Sequence, residues 1–325
     1  MKSKGLFIIS LDFELMWGAL DLWTPEGYGS TNISKVDTVV HRLIDLFHKY
    51  DVHATFATVG LIMLDGKEET SAFIPQEEPS YKNMILSPFY NSYISGIKDE
   101  KLYFSPDLVK YISEQEGIEL GSHTFSHYYC WEEGQTIEQF EDDIKMAVRV
   151  AKEKGYELKS IVFPRNQVPD DYLDICAKYG FLSYRGISPL FSTQPKNKIH
   201  GLIQRIGRVL DTYFPLGPVS SIQIKTIVRN NDIINIPSTR FLRPYSGKTC
   251  FLERLKIKKI KKEMTYAAKN GEIYHLWWHP HNFGANMDKN FYCLENILQT
   301  YKDLESQLGM MSMNMNEAAK YIRDL

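Results

Sequence analysis

Two histidines four residues apart, in His123-Thr-Phe-Ser-His127, are the side chains of this sequence best placed to do chemistry. They follow Gly117-Ile-Glu-Leu-Gly-Ser122, which reads as a short strand entering a turn. A turn or first helical coil there puts both imidazoles on one side. Neutral imidazole is the commonest protein ligand for zinc and related metals. Two imidazoles leave a site incomplete, and an acidic ligand is needed. Ser10-Leu-Asp-Phe-Glu14 offers one at the end of Leu6-Phe-Ile-Ile9, an apolar run of the buried-strand kind. Residues i and i+2 of a strand share a face, so Asp12 and Glu14 point the same way. One carboxylate can hold a metal while the other stays free as a base. A helix cap or surface loop is the plainer reading of these acids, but two acids that end a buried strand are costly without a partner.

Two further strand ends carry polar groups. Glu272 to Gly284 is an apolar, aromatic strand ending in His279 and His281, with Pro280 and Gly284 marking the loop beyond. Ser160-Ile-Val-Phe-Pro-Arg-Asn-Gln167 is a β-branched run ending in Pro164 and Arg165. In parallel α/β sheets ligands bind at the C-terminal ends of the strands, so these segments suggest one cleft.

In this order the motifs resemble those of the polysaccharide deacetylases, the NodB-homology proteins of carbohydrate esterase family 4. The resemblance rests on Asp12/Glu14, His123-Thr-Phe-Ser-His127, Phe163-Pro-Arg165 and Leu276-Trp-Trp-His279, and covers roughly residues 6–284. The acidic pair is separated, Asp12-x-Glu14, where the common pattern has adjacent aspartates. Pro-Arg-Asn-Gln replaces the family's Arg-x-x-x-Pro-Tyr. The resemblance implies a divalent metal, zinc, held by Glu14, His123 and His127, polarising an acetyl carbonyl and lowering the pKa of its water. Asp12 is then the base, Arg165 orients it and keeps it ionised, and His279 protonates the leaving amine, with His281 in reserve. Trp278, His281 and Asn282 are assigned to substrate contact. The implied reaction removes N-acetyl or O-acetyl groups from a sugar. The alternative is a glycan-binding relative that has lost turnover.

The elements that must position these groups alternate. Residues 33–50, 136–154, 170–178, 290–308 and 316–324 carry helical spacing, with Thr136 and Gln139 as a capping box and Gly155 and Gly180 as stops. Residues 52–59 and 181–185 read as strands. Alternation implies a parallel sheet with helices outside. The resemblance narrows this to a distorted (β/α) barrel of about seven strands, one domain with insertions at about 64–105 and 188–262. The first insertion would sit on the catalytic side as a lid or substrate wall.

At 325 residues, 43% hydrophobic and 24% charged, the chain has ordinary globular composition, and its net charge of −2 offers no pull toward nucleic acid. The four cysteines form no CxxC pair, so neither disulfides nor a cysteine zinc site is expected, and Cys130 reads as a small buried hydrophobe. No stretch of about 18 apolar residues exists, and Lys2, Lys4 and the short apolar run after them do not make a signal peptide. A cytoplasmic enzyme is expected. Its partner would be an N-acetylated sugar or glycan intermediate of O-antigen or capsule assembly, with peripheral contact to a lipid-linked substrate. The basic run Arg254 to Lys262 reads either as a solvated helix face or as a contact for anionic lipid phosphate.

Overall fold

A computed structural model describes residues 4–187, 207, 211–214, 219–227, 229–230 and 233–325. The part of the second expected insertion at 188–206 lies outside the described residues. The strands are β1 Leu6–Phe13, β2 Ala54–Thr58, β3 Ile118–Ser122, β4 Ser160–Ile161, β5 Ser183–Tyr184, β6 Ile222–Gln223, β7 Arg229–Asn230, β8 Ile233–Asn235, β9 Arg240–Phe241, β10 Glu272–Trp278 and β11 Met311–Met313. The helices used below are α1 Val36–Tyr50, α2 Lys67–Thr70, α3 Pro106–Ser113, α4 Ile137–Glu153, α5 Leu173–Lys178, α6 Glu253–Asn270, α7 Met287–Leu308 and α8 Met315–Arg323.

The strands form one curled sheet in the order β6-β10-β1-β2-β3-β4-β5-β8-β7, with β11 added on β1 and β9 on β10. Most pairs are parallel; β6 with β10 and β7 with β8 are antiparallel. The two ends of this order do not pair among the described residues, so the barrel is an open, half-barrel form. β1 is the central strand because all eight of its residues are buried, as a strand covered on both faces requires. It runs parallel to β10 from Leu6↔Ile273 to Leu11↔Trp278 and to β2 from Ser10↔Thr55 to Phe13↔Thr58. That register brings the C-terminal ends of β1, β2 and β10 to one edge, with β3 following through Thr58↔Ser122.

The helices obey their local signals. Thr136 caps α4 through the Gln139 amide, and the Gln139 side chain returns to the Thr136 amide, completing the capping box. The expected helix at 33–50 opens as a 3₁₀ turn, Ile33–Lys35, before α1, which ends at left-handed Asp51. The 64–105 segment holds α2 and short 3₁₀ turns and no strand. It packs on the edge formed by the C-terminal strand ends: the Trp17 indole donates to the Tyr103 carbonyl at 2.7 Å, the Tyr129 amide donates to the Tyr81 hydroxyl at 2.9 Å, and Phe89 stacks on Phe125. The segment therefore braces both the turn after β1 and the turn after β3.

Candidate metal centre and acid–base site

The His123–His127 turn is not helical. Thr124 and His127 lie at φ 63° and 60°, in the left-handed region that a β-branched residue rarely occupies. Such strain persists only when the surroundings hold it. Here Asp143, buried on α4, accepts the amides of Phe125 and Ser126 at 2.7 and 3.0 Å and the Ser126 hydroxyl. The Thr124 hydroxyl oxygen accepts the Tyr128 amide at 2.7 Å, and the Thr124 carbonyl accepts the Gly60 amide at 2.9 Å. Burial raises the Asp143 carboxyl to about 6 against these hydrogen bonds. The turn so held brings the two imidazoles to 5.0 Å between ring centres.

Glu14 follows β1 directly and meets both rings. Its Oε2 lies 3.0 Å from His127 Nε2 and 3.4 Å from His123 Nε2, and all three side chains are buried. His123 Nδ1 lies 2.8 Å from the Val162 carbonyl, to which it must donate, so its Nε2 carries the free lone pair. Burial drives His127 down to about 4, leaving that ring neutral near neutrality. Burial opposes ionisation of Glu14, but His279, His123 and His127 outweigh it and hold the carboxyl well below its ordinary value. Glu14 faces imidazoles only: among the described residues no lysine or arginine pairs with it. A buried carboxylate and two imidazoles whose ligand atoms lie within 4.8 Å of one another fit a divalent cation.

Asp12 is held differently. Arg185, fully buried, donates Nη1 to Asp12 Oδ1 at 2.6 Å and Nη2 to Oδ2 at 2.8 Å. This two-pronged geometry is one that only guanidinium supplies. Burial would raise the Asp12 carboxyl, yet Arg185 and then His123 prevail and keep it lowered. The same guanidinium donates to Ser10 Oγ and Asn166 Oδ1, each at 3.0 Å, and lies 4.3 Å above the Trp277 ring. Ser10 Oγ continues to His275 Nε2 at 2.8 Å.

Two expectations are corrected here. Arg165 does not orient Asp12. It sits at φ 52°, which turns its side chain to Asp21 and Glu132 at 3.3 and 3.2 Å and over the Tyr129 ring at 4.2 Å. Arg185 occupies the expected place, and the signal for it was available. Phe181-Leu-Ser-Tyr-Arg185 is another strand ending in a charged residue at the sheet's C-terminal edge. Trp278, assigned to substrate contact, is 0% exposed and packs between Phe47 and Phe283. Period-2 alternation along β10 explains this: Leu276 and Trp278 share one face, while His275, Trp277 and His279 share the other, with Arg185.

His279 Nε2 lies 3.5 Å from Glu14 Oε1 and 3.8 Å from Asp12 Oδ2, so it stands between the two acids. It is the most open member of the group, its side chain 22% exposed. His281 stacks behind it with ring centres 5.0 Å apart, edge-on to Trp23 and Tyr28, and burial pushes it to about 3. Asn282 bridges His279 and Tyr28: its amide group donates to the Tyr28 hydroxyl at 3.1 Å, and its Oδ1 is 3.3 Å from His279 Nδ1. Asp12, Glu14, His123, His127, His279, His281 and Asn282 are thus brought together. Cys130 is buried among hydrophobic residues, outside this group.

Residues 27–184 match the sequence model of the polysaccharide deacetylases. This segment belongs to the polysaccharide deacetylase family. The family-matching segment contains His123 and His127, whereas Asp12, Glu14 and His279 reach the same site from outside it. No curated protein gives a significant match to the sequence. Among solved structures, a Mycobacterium smegmatis protein described as a polysaccharide deacetylase superposes with a TM-score of 0.60 at 12% identity, covering 100% of this chain and 92% of its own. A Pseudomonas aeruginosa PAO1 protein of the same description gives 0.54 at 12% identity, covering 98% and 91%. The allantoinase PuuE gives 0.56 at 11% identity, covering 98% and 90%. These likenesses show the fold: a deacetylase-type half-barrel.

Proposed function

We propose that this chain is a divalent-metal-dependent carbohydrate deacetylase, with zinc as the metal and Glu14, His123 and His127 as its protein ligands. The family match supports deacetylation of an acetylated carbohydrate. The observation that carries the mechanism is the convergence of Glu14 on both histidines beside a second carboxylate held by an arginine. A bound divalent ion would polarise the acetyl carbonyl and stabilise negative charge that develops on its oxygen. Asp12, kept ionised by Arg185, takes a proton from the attacking water. His279 Nε2, next to both acids, gives a proton to the departing nitrogen. Arg185, Ser10 and Asn166 hold Asp12 in one orientation. Asn282, with Tyr28 behind it, orients the His279 ring. His281, buried behind that ring, supports its position.

The substrate proposed is an N-acetylated sugar on a biosynthetic intermediate of a surface polysaccharide, of the O-antigen or capsule kind, met in the cytoplasm. Two observations support this choice. The turn after β1 lies over the site: a Cβ on Gly18 would come within 2.2 Å of the Glu14 carboxyl, and Glu14 and both histidines are at most 4% exposed. Such a cover suits a short glycan better than the middle of a long polymer. The cysteines Cys130, Cys176, Cys250 and Cys293 are all unpaired, as in a reducing compartment.

The decisive experiment combines elemental analysis with acetate release from N-acetylated sugars. The expected result is one divalent metal per chain and release of acetate, with both lost in the His123→Ala/His127→Ala double variant. A double variant that retains one equivalent of metal would refute this ligand set. Metal without acetate release from any N-acetylated or O-acetylated glycan would leave a binding protein.

His279 is tested by leaving group. His279→Ala is expected to lower hydrolysis of an N-acetyl amide by about two to four orders of magnitude. An activated acetyl ester, whose leaving group needs no proton, should fall far less. Equal losses on the two substrates, or a larger selective loss in His281→Ala, would remove His279 as the acid.

A further inference from the structure

The basic run at 254–262 forms the first half of α6; of its six cations Lys261 is half-buried, and the structure divides the other five into two sets. Lys256 is buried, 2.6 Å from Glu253 Oε2, and donates to the Arg243 carbonyl at 2.8 Å. Lys259 is held by Asp211 at 2.6 Å and by the Phe214 carbonyl at 2.9 Å. Arg254, Lys258 and Lys262, at i, i+4 and i+8, are exposed and have no carboxylate partner among the described residues.

Ordinary solvation would explain three lysine-type cations on a bare helix face. It does not explain the exposed apolar side chains among and beside them. Phe251, Leu255 and Tyr266 are exposed by 73%, 41% and 44%, and Phe214, which caps Lys259 through its carbonyl, by 42%. Along the helix, Leu255, Lys258, Lys262 and Tyr266 follow at spacings of three, four and four residues, so they make one stripe, and Phe251 stands in the 3₁₀ turn just before it. The opposite face, with Ile260, Met264, Ala267 and Ala268, is buried on the protein. Cations interleaved with large apolar side chains on an exposed helix face are the pattern of an interfacial helix.

Orientation adds to this. α6 ends at left-handed Gly271 and turns straight into β10, so helix and strand run antiparallel. At about 1.5 Å per residue the helix spans roughly 27 Å, close to the length of the seven-residue strand at about 3.3 Å per residue. The Phe251–Leu255 end is therefore level with His279, at the edge of the sheet that holds the site.

We propose that the outer face of α6, with the turn just before it, docks on an anionic lipid bilayer: Arg254, Lys258 and Lys262 meet the headgroups and Phe251, Leu255 and Tyr266 enter the boundary below them. The catalytic edge then lies beside the membrane, where a lipid-linked glycan would be presented. This goes beyond the deacetylase reading, and its deciding readout is vesicle binding, with ester hydrolysis only a control, so either can fail alone.

The test is co-sedimentation of the full chain with vesicles of mixed phosphatidylglycerol and phosphatidylcholine, against pure phosphatidylcholine. Binding to the anionic vesicles only is expected. A cation at such a surface contributes about 1 kcal/mol, roughly fivefold in partition, so R254A/K258A/K262A should weaken binding roughly a hundredfold. F251S/L255S, with charge unchanged, should also weaken it, while hydrolysis of a small soluble acetyl ester by either variant stays as in the parent. Absence of binding to the anionic vesicles overturns the proposal, as does full binding by the charge variant. Full binding by F251S/L255S together with equal competition by soluble heparin also overturns it, and identifies a general polyanion surface.

Discussion

Asp12→Asn is expected to keep its full complement of divalent metal and to lose about two to four orders of magnitude in deacetylation, the scale of a missing general base. The amide is close in size to the carboxylate but cannot take a proton from water. Metal should stay because Asp12 is bound by Arg185 and contributes no atom to the Glu14, His123 and His127 group. Glu14→Gln should show the reverse order of effects, with metal lost first and activity lost as a consequence. Elemental analysis and acetate release on the same preparations separate the two. Loss of metal in Asp12→Asn with retention in Glu14→Gln would exchange the roles of the two acids.

Arg185→Met is expected to be the most destabilising change at this site. The guanidinium is 0% exposed and gives both Nη atoms to Asp12. Methionine fills part of the volume but leaves a buried carboxylate without its cation. Removing one partner of a buried ion pair costs about 3–5 kcal/mol. Arg185→Lys should be milder in stability yet still impaired in turnover, because an ammonium cannot span both carboxylate oxygens. Arg165 offers the contrast. Its pairs with Asp21 and Glu132 join side chains that are a quarter to a third exposed, so Arg165→Ala should cost at most about 1 kcal/mol. Denaturant titration and kinetics of the three variants check the assignment. A larger loss of turnover in Arg165→Ala than in Arg185→Lys would return the orienting role to Arg165.

The arginine shows where reading the sequence stops. The resemblance gives Phe163-Pro-Arg165 the orienting role because it matches the family's arginine-bearing strand end. Whether its side chain enters the cleft depends on backbone angles. Arg165 and Asn166 both adopt φ 52°, so the chain turns there, Arg165 leaves for the rim and Asn166 reaches Arg185. No residue type in the Pro-Arg-Asn-Gln segment announces two successive left-handed residues. Trp277 and Trp278 make the same point one face at a time. Two adjacent tryptophans in a strand must face opposite ways, but which one meets the site is set by the pairing of Leu11 with Trp278, a contact between segments far apart in the chain.

Much else was local and therefore legible. The eight-residue apolar run of β1, the capping box of Thr136 and Gln139, and the alternation of strands with helices are written in neighbouring residues. The positions of the candidate ligands are partly local too, since Glu14 directly follows β1 and His123 directly follows β3 with His127 four residues on, while the choice of Glu14 over Asp12 as the ligand came from the family resemblance. Tertiary structure alone decided which arginine holds Asp12 and which tryptophan faces the cleft. It also decided which lysines of α6 are neutralised and which stay exposed, for Lys259 finds Asp211 forty-eight residues away. Spacing along a chain determines the face that a residue shares with its neighbours. The packing of distant elements determines what that face meets.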